Sequence, residues 1–360
     1  MLVMRKVIGL EVSKNGTRRA RVPNLAHRKS LMSQRIRWGI LGPGNIANRL
    51  VEGVSVHSDA EVLAVGSRDI QRANAFADRW GIPRRYGSYE ELVRDPDVDI
   101  VYVATPHPFH APCSLLAIEA GKAVMCEKPF TVNAPEAKSV VEAARRKNVF
   151  VMEAMWTRFF PLMARVREIV ASGEIGEVRL VHADFGFRAA FNPESRLFSP
   201  ALAGGGLLDV GVYPISLASM LLGTPNRVSG LATIGETGVD ESAAITLGYP
   251  SGALASITTG VRITTPQFAV ICGTEGSIHI PSPWWVPERM TVRKGRATVE
   301  YCEPKMASGF EYEVAEAGRC LREGLKESPI LPLDESVAIM DTMDQLRALW
   351  GVRYPMEEAA

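Results

Sequence analysis

Between Arg35 and Glu153 short apolar runs alternate with segments of helical period, and that alternation constrains the fold more than any other feature of this 360-residue chain. Ile36–Leu41, Glu61–Ser67, Asp99–Ala104, Ala123–Cys126 and Phe150–Glu153 read as strands. Residues 45–57, 69–80, 108–120 and 134–147 have the length and spacing of crossover helices, and Ser88-x-x-Glu91 is a capping-box signature for a short one. Strands joined through helices run parallel and are covered on both faces, so an α/β fold with a doubly wound parallel sheet is expected. After Arg158 the texture changes. A helix over about 159–171 ends at Gly173, and runs at 177–187, 227–235, 241–249, 253–263, 267–272 and 276–280 then follow one another across Gly, Pro and charged turns. Strand after strand predicts an antiparallel sheet. Asp334 is expected to cap a last helix whose Ile339, Met343, Leu346 and Trp350 form one stripe before Gly351 stops it, so the C-terminus should pack onto a domain.

Forty-six per cent of the residues are apolar, enough to bury a core in each of two domains. The 41 basic and 40 acidic residues nearly cancel, which argues against nucleic acid as a partner, since phosphate backbones require a basic face. Residues 1–35 depart from the balance with nine Lys or Arg and a single acid, Glu11; this leaves 32 basic and 39 acidic residues in the body. Arg18-Arg19 is followed by Arg21, Pro23, Asn24 and His27 where an export signal needs an apolar stretch, so residues 1–34 read as a disordered basic tail. Met32 just before the first strand makes a start-site overcall the alternative to a real extension, with a transit peptide third. No run of consecutive apolar residues approaches the ~18–20 of a membrane helix, and a soluble chain with no membrane partner is expected. Five cysteines lie far apart with no C-x-x-C and no His at metal spacing, which predicts reduced thiols in a cytoplasm and no metal site.

The first strand runs into Gly42-Pro43-Gly44-Asn45-Ile46-Ala47, a G-x-G-x-x-A opening an amphipathic helix. Dinucleotide binding needs that context. Gly42 allows the tight turn, Gly44 lets the backbone approach a pyrophosphate, Ala47 is small enough for helix to pack on strand, and the free N–H groups at Asn45 and Ile46 face the anion. At the end of the second strand an acidic residue pairs with ribose hydroxyls, whereas a basic one accepts a 2′-phosphate. Ser67 and Arg68 stand there, which favours NADP over NAD. Asp69 is the counter-evidence, although it is equally placed to cap the next helix, the preferred reading.

Three further motifs appear in order: Ala104-Thr105-Pro106-x-x-x-His110, Cys126-Glu127-Lys128-Pro129-Phe130, and Gly204-Gly205-Gly206-Leu207-Leu208-Asp209-Val210-Gly211-Val212-Tyr213. From about Arg35 to Pro355 the chain resembles the glucose–fructose oxidoreductase/inositol dehydrogenase (Gfo/Idh/MocA) family. Glu153-Ala154-Met155-Trp156-Thr157-Arg158-Phe159 and Tyr213 look most like its branch of dimeric dihydrodiol dehydrogenases and NADP-dependent xylose or glucose dehydrogenases. The resemblance implies a Rossmann domain over 35–155 and an α/β domain over 156–333 with a large, mostly antiparallel open sheet that pairs with a second subunit. Residues 334–355 then pack back as a helix. It also implies an oxidoreductase using NADP on a sugar or cyclic diol, with cofactor contacts at Thr105, Pro106, His110, Glu127, Lys128, Trp156 and Arg158.

Moving a hydride between an alcohol carbon and nicotinamide requires a group that takes or gives the hydroxyl proton and a charge that stabilises the oxyanion. Tyr213 is the expected acid/base. A free phenol titrates near 10, and an ammonium at Lys128 is expected to lower it by units while also polarising a carbonyl. Asp209 is either a third catalytic group or a helix cap, because Pro214 suits a first turn. Other members of the family carry His at the position of Tyr213, a departure that argues against carrying over their inositol and amino-sugar activities directly. Glu127 orients ribose or Lys128, His110 is a ligand or a helix-start residue, and Arg158 binds substrate or cofactor. Loops at 185–200 and 260–285, with Arg188, Asn192, Arg196, Trp284 and Trp285, shape the substrate side. Two other functions compete: a nucleotide-sensing regulator, disfavoured by the retained Lys128, Asp209 and Tyr213, and an NAD-dependent glycosidase, disfavoured by Ser67-Arg68.

Overall fold

The computed structural model describes residues 35–357; the basic segment expected as a tail or start-site overcall lies outside the described residues. The N-terminal half is a parallel sheet of β1 (Ile36–Leu41), β2 (Ala60–Gly66), β3 (Arg84–Tyr86), β4 (Ile100–Val103), β5 (Ala123–Glu127) and β6 (Val151–Ala154), in the order β3-β2-β1-β4-β5-β6. Helices α1 (Asn45–Ser55), α2 (Ile70–Trp80), α3 (Tyr89–Arg94), α4 (His110–Glu119) and α5 (Ala134–Lys147) lie between the strands. The strand order reverses between β1 and β4, which opens a crevice beyond their carboxyl ends. Short polar side chains set the helix starts: Asp69 accepts from the Gln71 N–H at 2.9 Å, Ser88 from Glu91 at 3.2 Å and Asn133 from Glu136 at 2.9 Å. Asp69 is therefore the cap of α2. Strand β3 was not expected, because Arg84-Arg85-Tyr86 has no apolar run.

After α6 (Pro161–Ala171) comes a second sheet of β7 (Val178–Gly186), β8 (Arg227–Ile234), β9 (Asp240–Gly248), β10 (Leu254–Gly260), β11 (Ala269–Gly273), β12 (Gly276–Ile280), β13 (Arg289–Lys294) and β14 (Ala297–Cys302). Its order is β14-β13-β12-β11-β7-β10-β9-β8, antiparallel throughout except where β7 and β10 pair in parallel. One face buries Val181, Ala183, Ile245, Leu247, Ala255, Ile257 and Ile271 beneath α7 (Val212–Leu222). The alternate residues are left outside, as a period of two requires. The stretch Pro200–Leu222, interrupted by Asp209, has the length and hydropathy of a membrane span, but 83% of its most apolar window is buried within this fold. It is core: short turns leading into α7.

Two late helices tie the halves together. α8 (Glu311–Glu323), which sequence periodicity did not reveal, packs on α1, and Phe310, Val314, Ala317 and Cys320 join Trp38, Leu50 and Tyr102 in the first core. A Cβ on Gly53 would stand 2.9 Å from the Glu311 nitrogen, so that glycine permits the approach. Residues 311–323 thus belong with the N-terminal domain rather than with 156–333. The last helix, α9 (Leu333–Trp350), lies against α5, α7 and β8. Pro332 holds its N-cap position; Asp334 sits in the first turn and pairs with Arg145 at 2.8 Å instead of capping.

Candidate active site

At the β1–α1 turn the backbone adopts φ +91° at Gly42, and a Cβ there would meet the Ala104 carbonyl at 3.0 Å. Gly44 is the N-cap residue of α1; it provides no side-chain cap, and the first turn holds no acidic residue. The N–H groups at the start of α1 are left for a ligand. A Cβ on Gly44 would have nothing nearer than 3.9 Å and would fill the space above the turn. A cavity of about 590 Å³ runs from this turn to the end of β5, a size ordinary for a cofactor site. On its wall the Thr105 hydroxyl is buried without a hydrogen-bond partner. The helix start, the open cradle and the orphaned hydroxyl together fit a dinucleotide.

One end of the cavity carries Ser67, Arg68, Arg72 and Tyr89. The Arg68 guanidinium lies over the Phe109 ring, 4.8 Å from its centre. Asp69 also reaches this end, but its Oδ1 is occupied as the cap of α2.

The other end is built where the two sheets meet. Lys128, just after β5, donates from Nζ to the main-chain carbonyl of Asp209 at 2.7 Å and lies 3.6 Å from the Asp209 carboxylate. Arg196 holds the same carboxylate at 2.6 Å. Burial alone would raise the Asp209 pKa, but these two cations bring it to about 2. Burial likewise opposes the Lys128 charge and is outweighed by Tyr213, Asp209 and Glu127, so the amine is held above its usual value. Glu127 is pushed up to about 6 by burial, against a hydrogen bond from the Tyr102 hydroxyl and the Lys128 N–H at 3.1 Å. Burial lowers His107 to about 3, leaving a neutral imidazole whose Nδ1 lies 3.1 Å from the Ala203 carbonyl.

Tyr213 lies beneath Lys128, whose Nζ is 4.9 Å from the ring centre, and its hydroxyl accepts from Trp156 Nε1 at 2.8 Å. Lys128 does lower this phenol, as expected, but not enough to set the direction of the shift. Burial, with Tyr213 only 7% exposed, outweighs the ammonium and raises the pKa, so the phenol is neutral. The tyrosine is also not among the side chains lining the cavity.

Of the other residues singled out, Gly42, Gly44, Asn45, Ile46, Ser67, Arg68, Thr105, Pro106, His110, Glu127, Lys128 and Asp209 line the cavity. Ala47 is wholly buried under the turn. Both nitrogens of His110 lie 2.8 Å from carbonyl oxygens, those of Pro129 and Thr105, so the ring braces the wall. Two cofactor assignments fall elsewhere. Trp156 packs on Phe160 and Phe310 while holding Tyr213. Arg158 is 3% exposed and engaged by Ser216 and Glu335, an interior tie that does not line the cavity. Sequence reasoning missed Arg72 and His107 and gave Arg196 no role beyond its loop. The usable signals were the four-residue spacing of Arg68 and Arg72 and the Pro106-His107-Pro108 corner before α4.

Two family models match: an oxidoreductase family with an NAD-binding Rossmann fold over residues 36–155, and a GFO/IDH/MocA C-terminal domain over 163–279. The chain belongs to the Gfo/Idh/MocA oxidoreductase family. The family's nicotinamide chemistry makes it a dehydrogenase acting on CH–OH groups. It is 40% identical to the trans-1,2-dihydrobenzene-1,2-diol dehydrogenase of Mus musculus over 90% of this chain and 99% of that one. A 3-ketoreductase from Actinomadura kijaniata, solved in complex with NADP and TDP-benzene, superposes with a TM-score of 0.77 at 26% identity, over 88% of this chain and 98% of that one. An aldose–aldose oxidoreductase from Caulobacter crescentus shares the fold, with a TM-score of 0.79 at 24% identity over 88% and 97%. Among the described residues no group of three or more His, Cys, Asp or Glu side chains could hold a metal ion.

Proposed function

We propose that this chain is an NADP-dependent oxidoreductase that interconverts an alcohol and a carbonyl on a ring substrate, a cyclic trans-dihydrodiol or an aldose. The observation that carries the reading is the Lys128 ammonium, held charged by Asp209 at the catalytic end of a cavity whose other end is cationic. The cofactor is NADP: Ser67, Arg68 and Arg72 offer a hydroxyl and two guanidinium groups to a 2′-phosphate, and the only carboxylate among them is spent as a helix cap. Bound in the cavity, the dinucleotide supplies the ring carbon that gives or takes a hydride. Lys128 stabilises the negative charge that develops on the substrate oxygen. The neutral Tyr213 phenol gives its proton to that oxygen in reduction and recovers one from the alcohol in oxidation. Asp209 fixes the lysine, and Arg196 keeps Asp209 ionised.

Half-buried Trp156 and Phe185 touch Tyr213, Phe185 edge-on at 5.2 Å, and half-buried Trp285 stacks on Phe185 at 3.5 Å. Flat aromatic walls suit a cyclic diol or the apolar face of a sugar ring. The mouse relative is named for such a diol. The test is to offer trans-1,2-dihydrobenzene-1,2-diol and a panel of aldoses with NADP and follow absorbance at 340 nm. No reduction with any of them refutes the assignment.

The protein acts as a homodimer through the open face of its second sheet. Leu180, His182, Val270, Cys272 and Leu254 lie on neighbouring strands of that face, and Leu231 on the edge strand is 82% exposed. Uncovered apolar rows of this kind favour a second copy. Five free thiols among the described residues support a reducing, cytoplasmic setting.

A further inference from the structure

We propose that Asp240 and Tyr354 are positioning residues of the active site, clamping the two ends of the Gly204-Gly205-Gly206 turn so that Asp209 meets Lys128. The inference rests on the reading of Lys128 and Asp209 above and concerns residues that touch neither ligand. Asp209 sits in a one-turn π-helix, Leu207–Gly211, which runs directly into α7. Such turns are irregular and need outside support. The support comes from two distant parts of the chain. Asp240, at the start of β9 and wholly buried, accepts from the Leu207 N–H at 2.6 Å, the first residue of the π-turn. Tyr354, beyond α9 and 1% exposed, donates its hydroxyl to the Gly204 carbonyl at 2.6 Å. Thr259 adds a bond from its hydroxyl to the Gly206 carbonyl at 3.2 Å.

The clamp accounts for the three glycines. Gly205 has φ +115°, and a Cβ on it would overlap Asp240 Oδ1; a Cβ on Gly206 would meet Asp240 Oδ2 at 3.3 Å. The carboxylate therefore fills the room that side chains would take, and the turn closes on it. The consequence reaches the chemistry through the backbone, because Lys128 donates to the main-chain carbonyl of Asp209 and pairs with its carboxylate at 3.6 Å. If the π-turn relaxes, both acceptors move together. The β1–α1 turn, Ser67, Arg68 and Arg72 are untouched by this clamp, so coenzyme affinity and turnover should separate.

Purified full-length Asp240→Ala, Asp240→Asn and Tyr354→Phe are compared with wild type, with Lys128→Ala in parallel, measuring kcat and the NADP dissociation constant by calorimetry. A displacement of about 1 Å at a reacting group costs on the order of 100-fold, so Asp240→Ala should lower kcat by roughly 10- to 100-fold and Tyr354→Phe by roughly 3- to 10-fold. The NADP dissociation constant should stay within about 2-fold in both, and Asp240→Asn, which keeps an acceptor for Leu207, should recover kcat to within about 3-fold. Should Asp240→Ala fail to fold, Tyr354→Phe decides alone. Unchanged kcat in the folded variants, or a loss of NADP affinity in proportion to the loss of rate, overturns the proposal. An active Lys128→Ala would instead overturn the site reading beneath it.

Discussion

Replacing Arg68 by alanine tests the coenzyme assignment where the geometry is most specific. The guanidinium already lies over the Phe109 ring and lines the cavity, so part of its rotamer entropy is spent before it meets a phosphate. A charge-assisted hydrogen bond contributes about 1.5–3 kcal/mol, which corresponds to roughly 10- to 150-fold in affinity. Stacking on the adenine side, shared by both coenzymes, is worth about 0.5–1 kcal/mol, or roughly 2- to 5-fold. Arg68→Ala should therefore raise the KM for NADP by about 10- to 100-fold and that for NAD by only a few-fold, with kcat little changed. Arg72 remains in the variant and keeps the loss toward the lower figure. The assay is initial rate at 340 nm over a coenzyme series at saturating diol, repeated at higher salt, where screening should narrow the wild-type preference more than the variant's. Equal fold-changes for NADP and NAD would refute the argument, because the side chain would then be contributing only to the shared part of the coenzyme.

Lys128→Ala and Tyr213→Phe should each lower kcat by about 10²–10⁴-fold with the NADP dissociation constant nearly unchanged, and a Tyr213→Phe enzyme at full rate would transfer the proton role elsewhere. Glu153 on β6 is buried with both oxygens unpartnered, and burial raises it from 4.5 to about 7. The unfolded chain ionises that carboxyl at lower pH than the folded one, so its destabilising effect is absent below about 4.5, grows as pH rises to about 7 and is complete above; Glu153→Gln should gain about 3 kcal/mol in urea unfolding at pH 8 and nothing at pH 4.5. A gain equal at both pH values would remove the ionisation argument. Val270→Glu places a charge amid the open face of the second sheet and should convert dimer to monomer in analytical ultracentrifugation, whereas a wild-type protein that is already monomeric refutes the interface.

The first sheet was legible because its strands are buried on both faces and its helices carry regular stripes; each expected element from Ile36 to Ala154 exists within a few residues. The segments missed are those whose pattern is not apolar. Arg84-Arg85-Tyr86 is a strand by virtue of its pairing with β2, and β14 has almost no buried side chain. Helix α8 buries Glu311, Glu313 and Glu316 among its apolar residues, so its stripe is broken by carboxylates, and only the fold reveals that it completes the first core. On the cavity wall stand residues singled out from turns with glycine or proline signatures: Gly44, Lys128 and Asp209. Arg72, His107 and Arg196 were invisible or undefined because their place on the cavity wall depends on which neighbours the fold brings to them. Arg158 failed in the opposite direction: a cation in a motif looked like a ligand, whereas Ser216 and Glu335, distant in sequence, consume its donors.

The charge state of the central pair narrows the chemistry further than the motifs do. A lysine that acts as a covalent nucleophile must be brought below its usual pKa, by a dry apolar pocket or by a neighbouring cation. Lys128 is buried and has Arg196 nearby, both of which push it down, but its neighbours, the Asp209 and Glu127 carboxylates among them, outweigh these and hold the ammonium protonated. It is therefore a fixed positive charge, and attack on a carbonyl to form a Schiff base is disfavoured. Tyr213 is likewise held as a neutral phenol, since burial outweighs the nearby ammonium. A fixed cation beside a protonated acid is the state a carbonyl needs in order to become an alcohol, the cation meeting the developing oxyanion and the phenol ending it. In the oxidative direction the phenol must first lose its proton, and the same burial makes that loss costly near neutral pH. The oxidative kcat should accordingly climb with pH well beyond the point where the reductive kcat has levelled or begun to fall. Parallel profiles in the two directions would mean that the proton passes through some group other than this tyrosine.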